Sequence, residues 1–362
     1  MVAEPLKAMY TKDFLEGFAS KVKQARNDFD DLKFIDKVMD ADWEGLELKG
    51  RIRRISLVLG SFLPESYPEA LGILLAIQDQ CEGFPYLFFP DFVEVFGLEP
   101  EQEEISLQAL EQFTKRSTAE FAIRPFLIRS PERIMKRMVE WAQSENHHVR
   151  RLASEGCRPR LPWGQAIRQF KEDPSPIFEV LELLKADSSL YVRKSVANNL
   201  NDIAKDNPQQ VILTAKRWNG FSPETNWIIR HGCRTLLRCG EPEVMDLFGY
   251  EEATETLTDA MIATDRHSVT IGDSVTMSYS FNVKKQAKLR IEYAIDFVKK
   301  RGISRKKFLL SDRIFTGGES ITKERVHNWK DLTTRVHYPG IHRIVLIANG
   351  IEVAHTDLEL IK

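Results

Sequence analysis

Val149-Arg150-Arg151-Leu152-Ala153-Ser154-Glu155 is echoed by Val192-Arg193-Lys194-Ser195-Val196-Ala197-Asn198, and again by Ile229-Arg230-His231-Gly232-Cys233-Arg234-Thr235. The arginines at 150, 193 and 230 stand 43 and 37 residues apart, and a weaker echo, Lys115-Arg116-Ser117-Thr118-Ala119-Glu120, places Arg116 34 residues before the first. A period near 40 is that of HEAT-type helical pairs. One such pair cannot bury its own apolar face, so neighbours stack into a superhelix. The Val-Arg element is expected to open the second helix of each pair and to turn basic side chains toward a concave surface. The period alone serves protein-binding arrays as well as nucleic-acid-binding ones.

Outward from these repeats, residues 6 to about 247 read as helical. Phe14, Leu15, Phe18, Ala19 and Val22 recur at helical spacing, as do Ile52, Ile55, Leu59 and Phe62, with Pro64 stopping that helix. Tyr67 to Gln80 reads as a further helix and Gly83-Phe84-Pro85-Tyr86 as a turn. Near Thr264 the period changes to two. Residues 268–271, 275–281 and 289–293 alternate, and 342–348 runs into Asn349-Gly350, a favoured hairpin turn, with 351–354 following. Gly317-Gly318 has no phosphate-loop context and reads as another hairpin turn. Several such strands within about 100 residues suggest a β-sandwich. The expected fold is mostly α: a HEAT-like helical-repeat superhelix over 1–250, a linker over 251–263, and an immunoglobulin-like β-sandwich over 264–362.

The 362 residues suffice for two or three domains, and the net charge of −2 conceals a strong polarity. Residues 1–114 carry a net −11, 115–239 a net +9, 240–254 a net −5 and 255–362 a net +5. A polyanion would meet the middle and the tail. The many arginines of the middle suit bidentate phosphate contacts, although solvated helix faces would give the same tally. No apolar run approaches the roughly 20 residues a membrane helix needs. The opening Met1-Val2-Ala3-Glu4-Pro5-Leu6-Lys7 lacks the apolar core of a signal peptide, so a cytoplasmic protein is expected. Cys81, Cys157, Cys233 and Cys239 are scattered and suggest neither disulfides nor a zinc site.

The densest chemistry lies between Asn146 and Gly164. If 148–157 is helical, Arg151 and Glu155 lie four residues apart on one face. Pro159 and Pro162 then break the helix and hold Arg158, Arg160 and Trp163 in a constrained loop. A surface ion pair beside a core tryptophan is the plainer account. Trp163 between a proline and a glycine, rather than in an apolar stripe, favours a site. His147 and His148, adjacent on a helix, point about 100° apart and do not chelate one metal comfortably.

The start Ala3-Glu4-Pro5-Leu6-Lys7, the motif from Val149 to Gly156 with Arg158-Pro159-Arg160-Leu161-Pro162-Trp163, and the repeat from Tyr191 to Asp202 resemble the AlkC branch of the HEAT-like alkylpurine DNA glycosylases, the AlkC/AlkD superfamily. The resemblance covers residues 1 to about 250, with an immunoglobulin-like tail as in some AlkC proteins. It implies monofunctional excision of 3-methyladenine and similar cationic lesions, 3-methylcytosine included, from double-stranded DNA. It also implies a departure from the usual extrusion of the target base into a pocket. Carried over residue by residue, Glu155 matches the acidic position of the central motif and Trp163 the aromatic that follows it. Glu120 matches an acidic position on the preceding repeat, and Asp202 lies at the corresponding inner face of the next.

Those residue types fit the chemistry. Alkylation leaves the base positively charged and a good leaving group, so no general acid is needed. The sugar gains oxocarbenium character, which a nearby carboxylate stabilises while positioning water, and an indole face also favours a cation. Candidate DNA contacts are Arg151, His148, Arg158, Arg160, Arg193, Lys194, Asn198, Trp227, Arg230 and His231. Trp227 either meets a sugar or packs in the core. Arg305, Lys306 and Lys307 of the β-region either grip DNA beside the lesion or decorate a solvated loop. No metal or organic cofactor is expected, and a monomer is. The rivals are a non-catalytic binder of damaged or bent DNA and a HEAT scaffold for an acidic protein.

Overall fold

A computed structural model describes residues 5–332 and 335–362, so Ala3 and Glu4 of the opening motif lie outside the described residues. Backbone contacts divide the chain into two units, 1–211 with 217–232, and 212–216 with 233–362.

The first unit is helical. Its first long helix, Lys12–Ala25, is capped by Thr11, whose Oγ1 accepts from Phe14 N, and it buries Leu15, Phe18, Ala19 and Val22 along one stripe. Leu48–Gly60 ends ahead of Pro64, and Tyr67–Ile77 continues as a 3₁₀ turn to Gln80. The repeat helices His147–Gly156, Leu190–Ile203 and Pro223–Gly232 pack side by side. Close approach is set by small residues: a Cβ on Gly156 would lie 2.7 Å from Ile123, and one on Gly232 2.9 Å from Leu200.

The repeat register differs from the sequence reading in its third copy. Arg150 Nη1 donates to the carbonyls of Ser144 and Glu145, and Arg193 Nη1 to those of Asp187 and Ser188. In the third copy Asn226 performs this task, its Oδ1 accepting from Gly220 N. The equivalent of Arg150 and Arg193 is therefore Asn226, and Arg230 sits one helical turn later. The helices begin at His147, Leu190 and Pro223, 43 and 33 residues apart. The fainter echo at 115–120 opens no helix; it is the turn after Glu103–Thr114.

The second unit holds the sandwich. Its strands are β1 (Leu257–Thr264), β2 (Ser268–Thr270), β3 (Ser274–Val283), β4 (Ala287–Val298), β5 (Ile303–Phe315), β6 (Ser320–Asn328), β7 (Gly340–Ala348) and β8 (Ile351–Ile361). One sheet runs β1-β3-β6 and the other β2-β8-β7-β4-β5, antiparallel except for β2 on β8. Asn349 and Gly350 have φ of 47° and 86°, the left-handed pair that a two-residue hairpin turn between β7 and β8 requires. The expected linker is corrected: 251–263 contains the helix Ala253–Thr256 and nearly all of β1. A bulge between Thr258 and Met261, with Asp259 at φ 55°, breaks the alternation that would have revealed the strand. Gly317-Gly318 joins strands of opposite sheets, so it is a crossing between sheets rather than a hairpin.

Three buried histidines, 327, 337 and 342, surround Trp329, with ring centroids 5.2, 5.5 and 4.9 Å from it. Burial, reinforced by Arg335 and neighbouring cations, pushes His327 down to about 4. Its folded value lies below the unfolded one near 6.5. Stability is therefore intact above that pH and falls as pH drops from 6.5 toward 4, because only the unfolded chain takes up the proton. The full loss for this one group is about 3 kcal/mol. Melting of the wild type followed from pH 8 to 4.5 should show the decline, and His327→Gln should flatten it.

Candidate active site

The expected carboxylates come together in the first unit as an alternating ladder. Glu120 lies in the turn after Glu103–Thr114; Arg151 and Glu155 lie one turn apart on His147–Gly156; Arg158 follows that helix; Asp202 lies on Leu190–Ile203. Glu120 Oε2 accepts from Arg151 Nη1 and from Thr118 Oγ1. Arg151 Nη2 reaches Glu155 Oε1 at 3.5 Å, and Arg158 Nη1 donates to the same oxygen at 2.6 Å. Arg158 then donates from Nε to Asp202 Oδ2 at 2.8 Å, with Nη2 in ion-pair contact with the same oxygen at 2.8 Å. Ser154 Oγ donates to Ser195 Oγ, which donates to Glu155 Oε2, both at 2.6 Å. Lys205 Nζ takes Asp202 Oδ1 at 3.0 Å.

Three carboxylates thus face two guanidiniums, all five groups buried or nearly so. Burial works against the charge of Arg151 and Arg158. The carboxylates beside each outweigh it, Glu120 and Glu155 for the first, Glu155 and Asp202 for the second, and hold both above the ordinary arginine value. Both oxygens of Glu155 and of Asp202 are engaged, whereas among the described residues the hydrogen bonds to Glu120 go to Oε2. Glu120 Oε1 is the ladder's open acceptor.

Trp163 is 63% exposed and stands at φ 62°, a costly conformation for a bulky residue. Its loop is held from below by two cations that sequence reasoning missed. Lys49 Nζ donates to Trp163 O. Fully buried Arg124 donates from Nε to Gln165 O at 2.6 Å and from Nη1 to Gly156 O at 2.8 Å, tying the loop to the end of the motif helix. Burial lowers Arg124 to about 10. Ser195 was missed too, although a signal existed: it occupies the place that Leu152 fills one repeat earlier, a polar residue at a buried position.

Several expected DNA contacts are corrected. Arg158 is buried between Glu155 and Asp202 and has no surface to offer a phosphate. Arg151 is spent on Glu120 and Glu155, with its guanidinium 4.7 Å from the Tyr191 ring. Arg193 holds the preceding turn. Arg160 is exposed but bidentate to Asp206. In the sandwich Arg305 pairs with Asp296 and Glu352 and Lys307 donates to Arg238 O; both lie on β5, not in a loop. Lys194 and Lys306 are exposed, and Asn198 and Arg230 partly so. Trp227 is half-buried and stacks on exposed His231 at 4.0 Å, so it belongs to no core. His148 packs against His147 and Tyr191, and burial, helped by His147 and Arg151, lowers its proton affinity. Among the described residues no group of three or more His, Cys, Asp or Glu has the geometry to hold a metal ion, and no helix is long and apolar enough to cross a membrane.

The class that fold and site define is a HEAT-like helical-repeat protein with an immunoglobulin-like sandwich. A family model described as DNA alkylation repair enzyme matches residues 107–234, and one described as the C-terminal Ig-like domain of the uncharacterised protein YhaZ matches 258–362. The chain is 44% identical over 346 residues to the uncharacterised protein YhaZ of Bacillus subtilis (strain 168), covering 95% of this chain and 96% of that one. Its structure superposes on the alkylpurine DNA glycosylase AlkC of Pseudomonas fluorescens, solved bound to DNA containing an abasic site analogue, with a TM-score of 0.91, 36% identity, and 99% and 100% of the two chains covered. The chain belongs to the AlkC branch of the DNA alkylation repair enzymes.

Proposed function

We propose that this protein is a monofunctional DNA N-glycosylase that hydrolyses the glycosidic bond of cationic alkylated bases, 3-methyladenine and 3-methylcytosine among them, in duplex DNA. It acts as a monomer, without metal or organic cofactor and without fully extruding the base. The observation that carries this reading is the ladder Glu120–Arg151–Glu155–Arg158–Asp202, with the open oxygen of Glu120 at its end, beside the exposed Trp163. The AlkC relative bound to abasic DNA supports it.

In the reaction the C1′–N bond breaks and its electron pair leaves with the base, cancelling the base's positive charge. The sugar takes up that charge as an oxocarbenium, which the carboxylate of Glu120 at the ladder's open end stabilises. Water adds at C1′ and gives its proton to Glu120, whose open Oε1 is placed to accept it. Glu155, itself held by Arg158 and Ser195, holds Glu120's partner Arg151 in place. The products are an abasic site and a neutral free base, with no nick because no amine attacks the sugar.

Single-turnover release of free bases from methylated duplex DNA, read by chromatography with spontaneous loss subtracted, tests the reading. Release of 3-methyladenine well above background is expected. DNA binding with no release would favour a non-catalytic binder of damaged DNA. Trp163→Ala should slow release by about 2- to 30-fold, the equivalent of the roughly 0.5–2 kcal/mol an indole gives a cation. Its melting temperature should not fall, since the ring is exposed.

A further inference from the structure

The sandwich is open along one side. β5 ends one sheet and β6 the other, and neither has a further strand beside it among the described residues. The two edges flank a common seam. Tyr279, Phe281 and Ile291 form its floor, Arg313 and Phe315 line it from β5, and Lys323 lines it from β6. Phe308 of β5 also meets His327 of β6, with ring centroids 5.3 Å apart. Each edge carries a row of backbone N–H and C=O groups with no ladder to join.

The register puts cations on the core side of both edges. On β5, Lys306 stands opposite Ile295 and Arg313 opposite Leu289, core residues of β4. On β6, Lys323 stands opposite Tyr279 and Arg325 opposite Met277, core residues of β3. Directly opposed residues share a face of the sheet, so all four cations lie on the seam side of their strands, and all four are exposed. Arg313 pairs with Glu319, whereas Lys306, Lys323 and Arg325 lack a carboxylate partner among the described residues. Burial, then the charges of Arg335, His337, Lys306 and Arg325, hold His327 low, so cations from both edges converge near that ring. The other face of β5 differs: Leu309 and Ile314, opposite Glu292 and Lys288, are apolar and exposed.

Charges that face inward keep an edge strand from pairing with an ordinary strand, whose apolar side chains would meet lysine and arginine. A strand that brings carboxylates to that face reverses the sign. Alternation fixes the rest of such a strand: every second residue acidic, against the seam cations, and the residues between apolar, against Leu309 and Ile314. We propose that β5 accepts an extended segment of a partner protein, alternately acidic and apolar, as an added strand. Main-chain hydrogen bonds supply the affinity of such an addition and alternate side chains its specificity. Duplex DNA is a poorer match, because the cations face into a seam between two sheets and the backbone carbonyls along the edge repel phosphate.

The test titrates full-length protein into a fluorescein-labelled dodecapeptide of alternating glutamate and valine, read by anisotropy, with amide hydrogen exchange followed by mass spectrometry. Saturable binding is expected, with exchange slowed over residues 303–315. An isomer of the same composition in the order Glu-Glu-Val-Val should bind far more weakly, since it cannot present an acidic and an apolar face at once. Lys306→Glu combined with Lys323→Glu should weaken the alternating peptide by about tenfold or more through like-charge repulsion. Melting should not change, since both side chains are exposed. No saturable binding by wild type would overturn the proposal. Equal affinity for the two isomers would overturn it as well, reducing the seam to a charged surface, and so would binding that leaves exchange in β5 as it was. Displacement of the peptide by duplex DNA, with DNA affinity falling by the same factor in the double variant, would give the seam to DNA instead.

Discussion

Exchanging Glu120 for glutamine is expected to slow single-turnover base release by about 10²–10³-fold, the usual loss when one electrostatic partner of a transition state is removed. The amide keeps the shape of the carboxylate and the hydrogen bond from Thr118, but removes the negative charge and the proton acceptor on Oε1. Glu155→Gln should slow the reaction by a similar factor for a different reason. Both its oxygens are already engaged, by Arg158 and Ser195, so it has no lone pair aimed at water as open as that of Glu120. Its loss leaves Arg151 and Arg158 each short of a carboxylate, and Arg151 loses its anchor against Glu120. The two variants are told apart by pairing kinetics with melting. Glu155→Gln should melt markedly lower than wild type, whereas Glu120→Gln, at the ladder's end, should melt close to it. A Glu120→Gln protein that released bases at the wild-type rate would move the water to another group.

The helical repeat was legible because burying one face of each helix leaves apolar residues at helical spacing, and the period of about 40 survives in the Val-Arg element. Its third copy was misread by one turn. There the residue that holds the preceding turn is Asn226, while an arginine happens to stand four residues later. β5 and β6 escaped notice for a physical reason as well: each is the edge of its sheet and buries few side chains, so neither alternates. At the site, Glu155, Glu120, Asp202 and the unusual setting of Trp163 could be picked out by residue type and position. The roles of the arginines could not. Arg151, Arg150, Arg158 and Arg160 find Glu120, Asp187, Asp202 and Asp206 at separations of 31, 37, 44 and 46 residues, roughly one repeat away. Stacking neighbouring repeats pairs charges that look unpaired along the chain; because those four acids lie in the middle segment themselves, its net +9 stands while the arginines counted toward a DNA surface are taken.

Arg158→Met should lower stability by about 3–5 kcal/mol, the cost of removing one partner from a buried ion pair. For a unit of more than 200 residues that corresponds to a fall of roughly 10 °C in melting temperature. The guanidinium bridges Glu155 to Asp202, and its loss leaves Asp202 Oδ2 buried beside an apolar side chain. Two features sharpen the test. Asp202 retains Lys205, which limits the damage at that end, and Asp202→Asn on the Arg158→Met background should recover part of the loss by removing the stranded charge. A phosphate-binding arginine would behave in the opposite way: its removal would leave melting untouched and reduce the salt dependence of DNA binding by about one ion. Unchanged melting with a shallower salt slope would therefore return Arg158 to the DNA interface and break the ladder on which the carboxylate mechanism is built.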